Sequence, residues 1–180
     1  KKLNKLDFLS NFYLSGGTGL ALQIGHRESE DLDFFSQEEF KPEVIQKNLE
    51  EIANLDVASL GKGTLNCRLD FIQIQFLHYP YPLLEKKIVW DSISVSSKLD
   101  IACTKLITVS SRGSKKDFID LYFLLDYYSL AFLFQKLEQK YPRINYNKTH
   151  ILKSLVYFQD ADDQPSPRMH REIDWKEVKA

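Results

Sequence analysis

The stretch of residues 13–36 constrains the fold more than any other part of the 180-residue chain. The apolar run with which it opens predicts a strand, and Gly16 and Gly17 after that run predict a tight turn. Thr18 is a natural N-cap for a short helix over residues 19–24. The start of a helix presents free backbone N–H groups and the positive end of the helix dipole, so this turn is a candidate phosphate-binding site.

The second half of this stretch carries two aspartates on a predicted strand. In residues 31–35 the two-residue period of a strand places Asp31 and Asp33 on one face and Leu32 and Phe34 on the other. Neighbouring carboxylates repel each other, and a hard divalent cation relieves the repulsion. A glycine pair before a helix is common turn chemistry, and Asp-x-Asp is often a solvated strand face. Together, however, they indicate metal-assisted chemistry on a nucleotide.

The composition is ordinary for a soluble globular protein, with 43% hydrophobic and 27% charged residues and a net charge of −1. This length suits one domain or two small, intimately packed ones. Because there is no overall basic field, an RNA partner would need a local basic patch. Cys67 and Cys103 lack metal-ligand spacing and are expected to be reduced core residues. Reduced cysteines favour the cytoplasm, which is the expected location, and neither a signal peptide nor a membrane span is visible.

Apolar periodicity predicts the remaining elements of the N-terminal half. Residues 1–11 resemble the end of a helix, and a helix with proline in its first turn is predicted at residues 42–53. A strand at residues 57–60 and a glycine turn at residues 61–63 lead into one long strand at residues 64–79.

From residue 96 onward the chain is predicted to be helical, after a linker with a short strand near Ile93. Trp175 and Val178, near the end of a polar tail, are expected to dock on the body of the protein. We therefore predict a core at residues 1–95 and a helical domain at residues 96–180. The predicted helices cover residues 96–112, 115–128, 130–140 and 148–158.

Asp70 lies inside the predicted long strand, between two apolar residues. A carboxylate in such a strand is costly unless it is paired, hydrogen-bonded or bound to a metal. Arg68, two residues earlier on the same face, is one possible partner. The alternative is that Asp70 is a third metal-binding carboxylate, on a strand adjacent to that of Asp31 and Asp33.

A second group of charged residues lies on two consecutive predicted helices. Lys105 and Arg112 are seven residues apart and share one helix face, and Asp117 and Asp120 share a face of the next helix. Apolar neighbours would partly bury Lys105, so Lys105 needs an anionic partner. One candidate partner is a triphosphate. The other is an aspartate of the next helix, and an ion pair with that aspartate would only hold the two helices together. Asp100 is a further possible partner.

The first motif, Gly-Gly-Thr followed after twelve residues by Asp-x-Asp, resembles the signature of the nucleotidyltransferase fold shared with DNA polymerase β. With Arg27 and Ser29 before the aspartates, the string looks like the AbiEii/AbiGii family of abortive-infection toxins. A second block of that family is a lysine followed by Arg-x-x-x-Lys/Arg-Asp-x-x-Asp-Leu. It matches Lys105, Arg112, Lys116, Asp117 and Asp120.

The resemblance covers about residues 10–130, with one departure, Gly19 in place of the usual alanine. It implies an α+β fold: a polymerase-β-like nucleotidyltransferase core, with a mixed sheet and flanking helices, followed by a C-terminal helical bundle that closes the cleft. The implied reaction moves a nucleoside monophosphate from an NTP to an acceptor hydroxyl of RNA or tRNA. The implied role is that of the toxin of a toxin–antitoxin or phage-defence system, with a cognate antitoxin as partner.

The resemblance also implies roles for particular residues. Two Mg²⁺ ions would be held by Asp31 and Asp33, with Asp70 as the third carboxylate. Lys105 would contact the nucleotide phosphates, and either Asp117 or Asp120 would assist catalysis or orient the basic side chains. The implied nucleotide-binding residues are Gly16, Gly17, Thr18, Ser29, Lys105 and Arg112. Two alternatives stay open: a non-catalytic nucleotide-binding or interaction module on the same fold, and a small-molecule nucleotidyltransferase of the antibiotic type.

Overall fold

The computed structural model of the protein describes residues 6–180. The helix end predicted at residues 1–11 therefore lies partly outside the described residues. Its second half forms a short 3-10 helix, Asp7–Asn11. The side chains of Leu6, Phe8 and Leu9 pack against the apolar core of the sheet, and the chain then enters its first strand.

Within residues 6–180, seven strands form one mixed sheet with the spatial order β3-β4-β5-β2-β1-β7-β6. β2 pairs in parallel with β5, and β1 pairs in parallel with β7, whereas the other neighbours are antiparallel. β1 and β2, which flank the glycine turn and its helix, therefore lie centrally in the sheet. The strands are β1 (Tyr13–Leu14), β2 (Leu32–Ser36), β3 (Leu55–Gly61), β4 (Thr64–Leu69), β5 (Ile72–His78), β6 (Ile88–Trp90) and β7 (Ile93–Val95).

The prediction of one long strand over residues 64–79 is wrong. The chain reverses at Asp70 and Phe71, so that Leu69 at the end of β4 pairs with Ile72 at the start of β5. Asp70 has a φ of 54°, in the left-handed region that aspartate tolerates better than most residues other than glycine. Its amide donates a hydrogen bond to the carbonyl oxygen of Asn54 at 2.8 Å. The aspartate is thus a turn residue rather than a carboxylate in the middle of a strand.

The helices pack on the sheet and on each other. The helix predicted at residues 130–140 has its predicted bounds, whereas those predicted at residues 42–53, 115–128 and 148–158 end earlier. The helices are α1 (Gly16–Ile24), α2 (Pro42–Glu50), α3 (Lys98–Arg112), α4 (Lys115–Leu125), α5 (Leu130–Lys140), α6 (Lys148–Ser154), α7 (Gln159–Asp162) and α8 (Trp175–Val178). No helix in residues 6–180 is long and apolar enough to cross a membrane.

Buried apolar side chains form two clusters. One joins the sheet to α2, through residues such as Phe34, Ile45 and Phe76. The other joins α3, α4 and α5, and it also includes Leu20 and Ile24 of α1. The predicted domain boundary falls between β7 and α3, but α1 packs with the C-terminal helices, so an N-terminal element contributes to the helical core. The division into two domains stays a prediction.

The turn between α3 and α4 brings two charged helix faces together. The hydroxyl of Ser97 caps α3 by accepting the N–H of Asp100 at 3.0 Å, and Gly113 ends the helix with a φ of 49°. α4 begins two residues later and packs against α3. Asp100 pairs with Lys140 at 2.6 Å, so the alternative in which Asp100 pairs with Lys105 is wrong.

The C-terminal tail returns to the loop between α1 and β2. Arg27 and Met169 form an isolated antiparallel bridge, and the amide of Glu28 donates to the carbonyl oxygen of Arg168 at 2.8 Å. Trp175 and Val178 pack against the helical core, as predicted. The tail therefore holds the loop that leads from the glycine turn to the two aspartates.

Candidate functional site

A cleft of about 370 Å³ opens between the sheet and α3. The start of α1, the loop before β2, and the strands β2 and β5 form one side, and α3 with the first turn of α4 forms the other. Most of the candidate residues meet here. The lining residues are Gly16, Gly17, Arg27, Ser29, Asp31, Asp33, Phe35, Gln75, Leu77, Tyr79, Ile101, Thr104, Lys105, Ile107, Thr108, Ser111, Arg112 and Lys116.

The start of α1 approaches β2 so closely that only glycine fits at residue 16. Gly16 has a φ of 60°, and a Cβ atom there would lie 2.1 Å from Oδ2 of Asp33. The amide of Ser15 donates to the carbonyl oxygen of Asp33 at 2.8 Å, which fixes the approach. The backbone amides at the start of α1 thus lie beside the Asp33 carboxylate.

Thr18 links the first turn of α1 to the loop before β2. The prediction that Thr18 caps a helix beginning at residue 19 is wrong, because α1 begins at Gly16 and Ser15 is its N-cap residue. The Thr18 hydroxyl instead donates to the carbonyl oxygen of Asp31 and lies 2.9 Å from the Ser29 hydroxyl. Ser29 lines the cleft and Thr18 does not. Thr18 therefore ties α1 to the loop that carries Asp31.

Asp31 and Asp33 both face the cleft, as their spacing predicts, but their surroundings differ. Asp31 precedes β2, is half exposed, and has its Oδ2 3.2 Å from Nζ of Lys116. Asp33 lies within β2 and is partly buried. Burial raises the pKa of Asp33 above its ordinary value, the nearby Lys105 lowers it, and the charge of Asp31 raises it further. A negative charge on Asp33 is therefore unfavourable without an added cation.

The third carboxylate predicted for this site is not there. Asp70 lies in the exposed turn between β4 and β5 and does not line the cleft. The β5 residue opposite Asp33 is Gln75, whose amide donates to Oδ1 of Asn66 at 2.7 Å. Within residues 6–180, no group of three or more histidine, cysteine, aspartate or glutamate side chains could hold a metal ion. Any metal here would depend on Asp31 and Asp33.

Lys105 of α3 is buried between the two aspartates of α4. Its Nζ lies 2.6 Å from Oδ1 of Asp117 and 2.6 Å from Oδ2 of Asp120. Burial alone would lower the pKa of Lys105, but the two carboxylates outweigh burial and raise it. Lys105 therefore does link α3 to α4 through ion pairs, as the structural alternative predicts. Lys105 also lines the cleft and is close enough to Asp33 to influence its pKa, so the clamp holds a positive charge against the two-aspartate motif.

Asp117 and Asp120 organise the basic side chains of the cleft. Asp117 also accepts hydrogen bonds from Ser114 and from Nε of Arg112, the latter at 3.0 Å. Burial opposes ionisation of Asp117, yet Lys105 and these hydrogen bonds lower its pKa below the ordinary value. Both aspartates are fully buried, and neither lines the cleft. Their geometry suits orientation of cations rather than contact with a substrate.

Two further residues, His26 and Arg27, contact Asp120, and the sequence did not predict these contacts. Nε2 of His26 lies 2.8 Å from Oδ1 of Asp120, and Nε and Nη2 of Arg27 donate to its two oxygens at 2.6 and 2.8 Å. Burial again opposes ionisation of Asp120, but Lys105, His26 and Arg27 lower its pKa well below the ordinary value. His26 and Arg27 lie five and four positions before Asp31, in a loop whose partner is remote in sequence, so no local signal marks the pairing.

Comparison with known proteins agrees with this geometry. A family model described as nucleotidyl transferase AbiEii toxin, type IV toxin–antitoxin system, matches residues 2–84. An uncharacterized protein of Aquifex aeolicus (strain VF5) is 37% identical over 186 residues, which cover 99% of this chain and 87% of that protein.

Two solved structures share the fold at low sequence identity. JHP933 from Helicobacter pylori has a TM-score of 0.54 and 18% identity, and the match covers 99% of this chain and 81% of that one. MenT4, a nucleotidyltransferase toxin from Mycobacterium tuberculosis H37Rv, has a TM-score of 0.56 and 17% identity, with coverage of 94% and 73%. These matches confirm the predicted α+β, polymerase-β-like fold.

The family match, together with a fold and a cleft of this kind, defines an enzyme of the nucleotidyltransferase class. Over residues 2–84, the chain matches the AbiEii family of nucleotidyl transferase toxins.

Proposed function

We propose that this protein is a toxin and a Mg²⁺-dependent enzyme that transfers a nucleoside monophosphate from an NTP to a hydroxyl of an RNA acceptor, such as tRNA. The observation that carries the proposal is the meeting of three features in one cleft: the start of α1, the Asp31 and Asp33 carboxylates, and a group of cations. In the reaction, the acceptor oxygen forms a bond to the α-phosphorus, the bond from the α-phosphorus to the bridging oxygen breaks, and pyrophosphate leaves.

The residues present fit Mg²⁺. Asp31 and Asp33 supply hard oxygen ligands to one cleft, and burial raises the pKa of Asp33 although Lys105, Arg112 and Lys116 partly offset that effect. Among residues 6–180, no third carboxylate joins Asp31 and Asp33 in a metal-binding group. Mg²⁺ commonly binds through one or two carboxylates together with substrate phosphates, so the pair is compatible with one or two ions. When bound, Mg²⁺ would acidify the acceptor hydroxyl and neutralise charge on the phosphate oxygens.

The protein's own groups would position the triphosphate. Gly16, Gly17 and Ser29 line the cleft at the start of α1, where backbone amides and the Ser29 hydroxyl would donate hydrogen bonds to phosphate oxygens. Arg112 and Lys116 reach the cleft from the helical side, and both are partly exposed, so they can turn towards a bound anion. Lys105, held by its aspartates, would offset negative charge that develops in the transition state.

A neighbouring hollow suits the acceptor. It shares Asp31 with the cleft and is also lined by Arg68 and Phe71. Phe71 is 96% exposed at the tip of the β4–β5 turn, which gives a base a surface on which to stack, and Arg68 can contact a phosphate. An RNA that enters from this side would bring its terminal hydroxyl to the paired aspartates.

The proposal is tested by incubating the protein with each radiolabelled NTP, Mg²⁺ and total RNA, and then following the label on denaturing gels. We expect labelled RNA that disappears with EDTA. In the Phe71→Ala variant we expect a higher KM for RNA and an unchanged affinity for the NTP. Label on a small molecule instead of RNA would replace the proposed acceptor, and absence of any transfer with all four NTPs would contradict the reaction.

A further inference from the structure

The cleft has two chemically different ends. The end beside Asp31 and Asp33 is charged. The other end is lined on the sheet side by the rings of Phe35 and Tyr79, whose centroids are 4.7 Å apart, and on the α3 side by Thr104 and Thr108. Its apolar and aromatic walls suit a planar ring better than a phosphate.

The spacing along α3 relates the two ends. Thr108 and Thr104 precede Arg112 by four and eight residues, which places them about 6 and 12 Å from it along the helix axis. All three side chains line the cleft, so they lie on one face of the helix. A nucleotide with its phosphates near Arg112 would therefore extend its base towards the two threonines.

The hydroxyl protons of both threonines are already committed. The Thr104 hydroxyl donates to the carbonyl oxygen of Asp100 at 3.0 Å, and the Thr108 hydroxyl donates to that of Thr104 at 2.9 Å. A hydroxyl has one proton and two lone pairs, so each oxygen has only acceptor positions left while its helix bond is kept. The Thr104 oxygen also interacts with the hydroxyls of Tyr79 and Tyr141, so Thr108 is the principal acceptor for a ligand in the cleft.

We propose that this end of the cleft binds the base of the NTP and selects a base that carries an exocyclic amine opposite its sugar, which means adenine or cytosine. The inference rests on the proposed function, because it assigns the base side of the same NTP. The amine at purine C6 or pyrimidine C4 donates to the threonine oxygens. Guanine and uracil carry a carbonyl oxygen at that position, which would face another acceptor unless a threonine gives up its helix bond.

The test compares kcat/KM for the four NTPs with Mg²⁺ and RNA. We expect ATP and CTP to exceed GTP and UTP by about tenfold, the size of effect that one neutral hydrogen bond supplies. Purine riboside triphosphate, which is ATP without the amine, should fall to the level of GTP. Equal use of all NTPs would overturn the base selection and leave the transferase reaction intact, whereas no binding or transfer of any NTP would remove both.

Isosteric variants connect the preference to the two hydroxyls. Thr104→Val and Thr108→Val keep the side-chain shape but remove the acceptor, so the ratio of kcat/KM for ATP to that for purine riboside triphosphate should fall towards one. Thr104→Ser and Thr108→Ser should retain the preference. Ser110 donates in the same way to the carbonyl oxygen of Ile107 at 2.7 Å but does not line the cleft, so Ser110→Ala is the matched control. A preference that survives in the folded double valine variant would overturn the inference.

Discussion

The carboxylate of Asp33 is held against Gly16 in surroundings that oppose its charge. Its pKa is raised from 3.8 in the folded protein, so ionised Asp33 costs stability. The sign follows from linkage: the cost is absent below the unfolded pKa and is complete once the pH exceeds the folded pKa. Asp33 should therefore make the metal-free protein less stable as the pH rises from its unfolded pKa of 3.8 to its higher folded pKa.

We predict that Asp33→Asn abolishes nucleotidyl transfer and does not lower the melting temperature of the metal-free protein at pH 7. Asparagine keeps the size of aspartate but lacks the charge that a hard cation needs. Any gain in stability should vanish as the pH falls below 3.8, where Asp33 is protonated in both the folded and the unfolded protein. Melting curves in EDTA across this pH range and an NTP-incorporation assay in Mg²⁺ measure both effects.

Asp70→Asn is the matched control for this prediction, because Asp70 lies in an exposed turn outside the cleft. It should retain transfer. Full activity in the Asp33→Asn variant, or loss of activity in the Asp70→Asn variant, would contradict the assignment of the two aspartates.

Lys105 carries a second prediction at the scale of one residue. Lys105→Ala should lower transfer strongly and also reduce the free energy of unfolding by about 1–3 kcal/mol. The loss of stability is limited because Asp117 keeps Arg112 and Asp120 keeps Arg27. Urea unfolding and turnover measured at a temperature where the variant is fully folded separate the two effects. A folded variant with normal turnover would leave Lys105 as a structural clamp only.

At the scale of elements, one carboxylate joins three segments of the chain. Asp120 of α4 contacts Lys105 of α3 and both His26 and Arg27 of the loop between α1 and β2. The side chains of all four residues are nearly or fully buried. Removing one partner from such a group leaves buried charges uncompensated, which is costly.

We predict that Asp120→Asn lowers the free energy of unfolding by about 3–5 kcal/mol. Because the pKa of Asp120 is lowered in the folded protein, its contribution is complete above the unfolded value of 3.8 and is lost as the pH falls towards the folded value. Urea midpoints of the native protein and the variant should therefore converge as the pH is lowered below about 4. A constant difference at all pH values would mean that packing, rather than charge, explains the loss.

The elements differ in how well the sequence predicts them. The glycine pair and the period of Asp31 and Asp33 are local signals: the helix begins at Gly16 itself, earlier than predicted, and both aspartates line the cleft as predicted. The β4–β5 turn escaped prediction because it uses Asp70 in a left-handed conformation, with neither glycine nor proline to mark it. The residue of β5 that lies opposite Asp33 could not be predicted either. The register between β2 and β5 places Gln75 there, five residues after Asp70.

Long-range pairing also limits what the sequence reveals about the site. The motif Lys105–Arg112 and the aspartates of α4 could be recognised, but both alternatives for Lys105 were compatible with the spacing. Only the packing of α3 on α4 shows that Lys105 contacts both aspartates. The pairing of Arg27 with Asp120 spans 93 residues and leaves no periodic signal.

At the scale of the whole molecule, positive and negative side chains nearly balance in the chain, and they also balance around the cleft. Four cationic side chains, those of Arg27, Lys105, Arg112 and Lys116, face or support the site. Four aspartates, at positions 31, 33, 117 and 120, balance them. A triphosphate alone would add a large negative charge to this group, and a divalent cation alone would add positive charge beside Lys105 and Lys116. The two together disturb the balance least.

We therefore predict that Mg²⁺ and an NTP bind cooperatively, with an affinity for the NTP about 5- to 150-fold higher in Mg²⁺ than in EDTA. Calorimetry with an NTP analogue that cannot be cleaved between the α- and β-phosphates measures this without turnover. Because Mg²⁺ also binds NTPs in solution, the protein's share must be isolated: the advantage should disappear in the Asp31→Asn/Asp33→Asn variant and persist in Asp70→Asn. Equal affinities of the native protein with and without Mg²⁺ would contradict a metal site on these aspartates. An advantage that survives in the double variant would mean that the cations of the cleft recognise the Mg²⁺–NTP complex without help from the paired carboxylates.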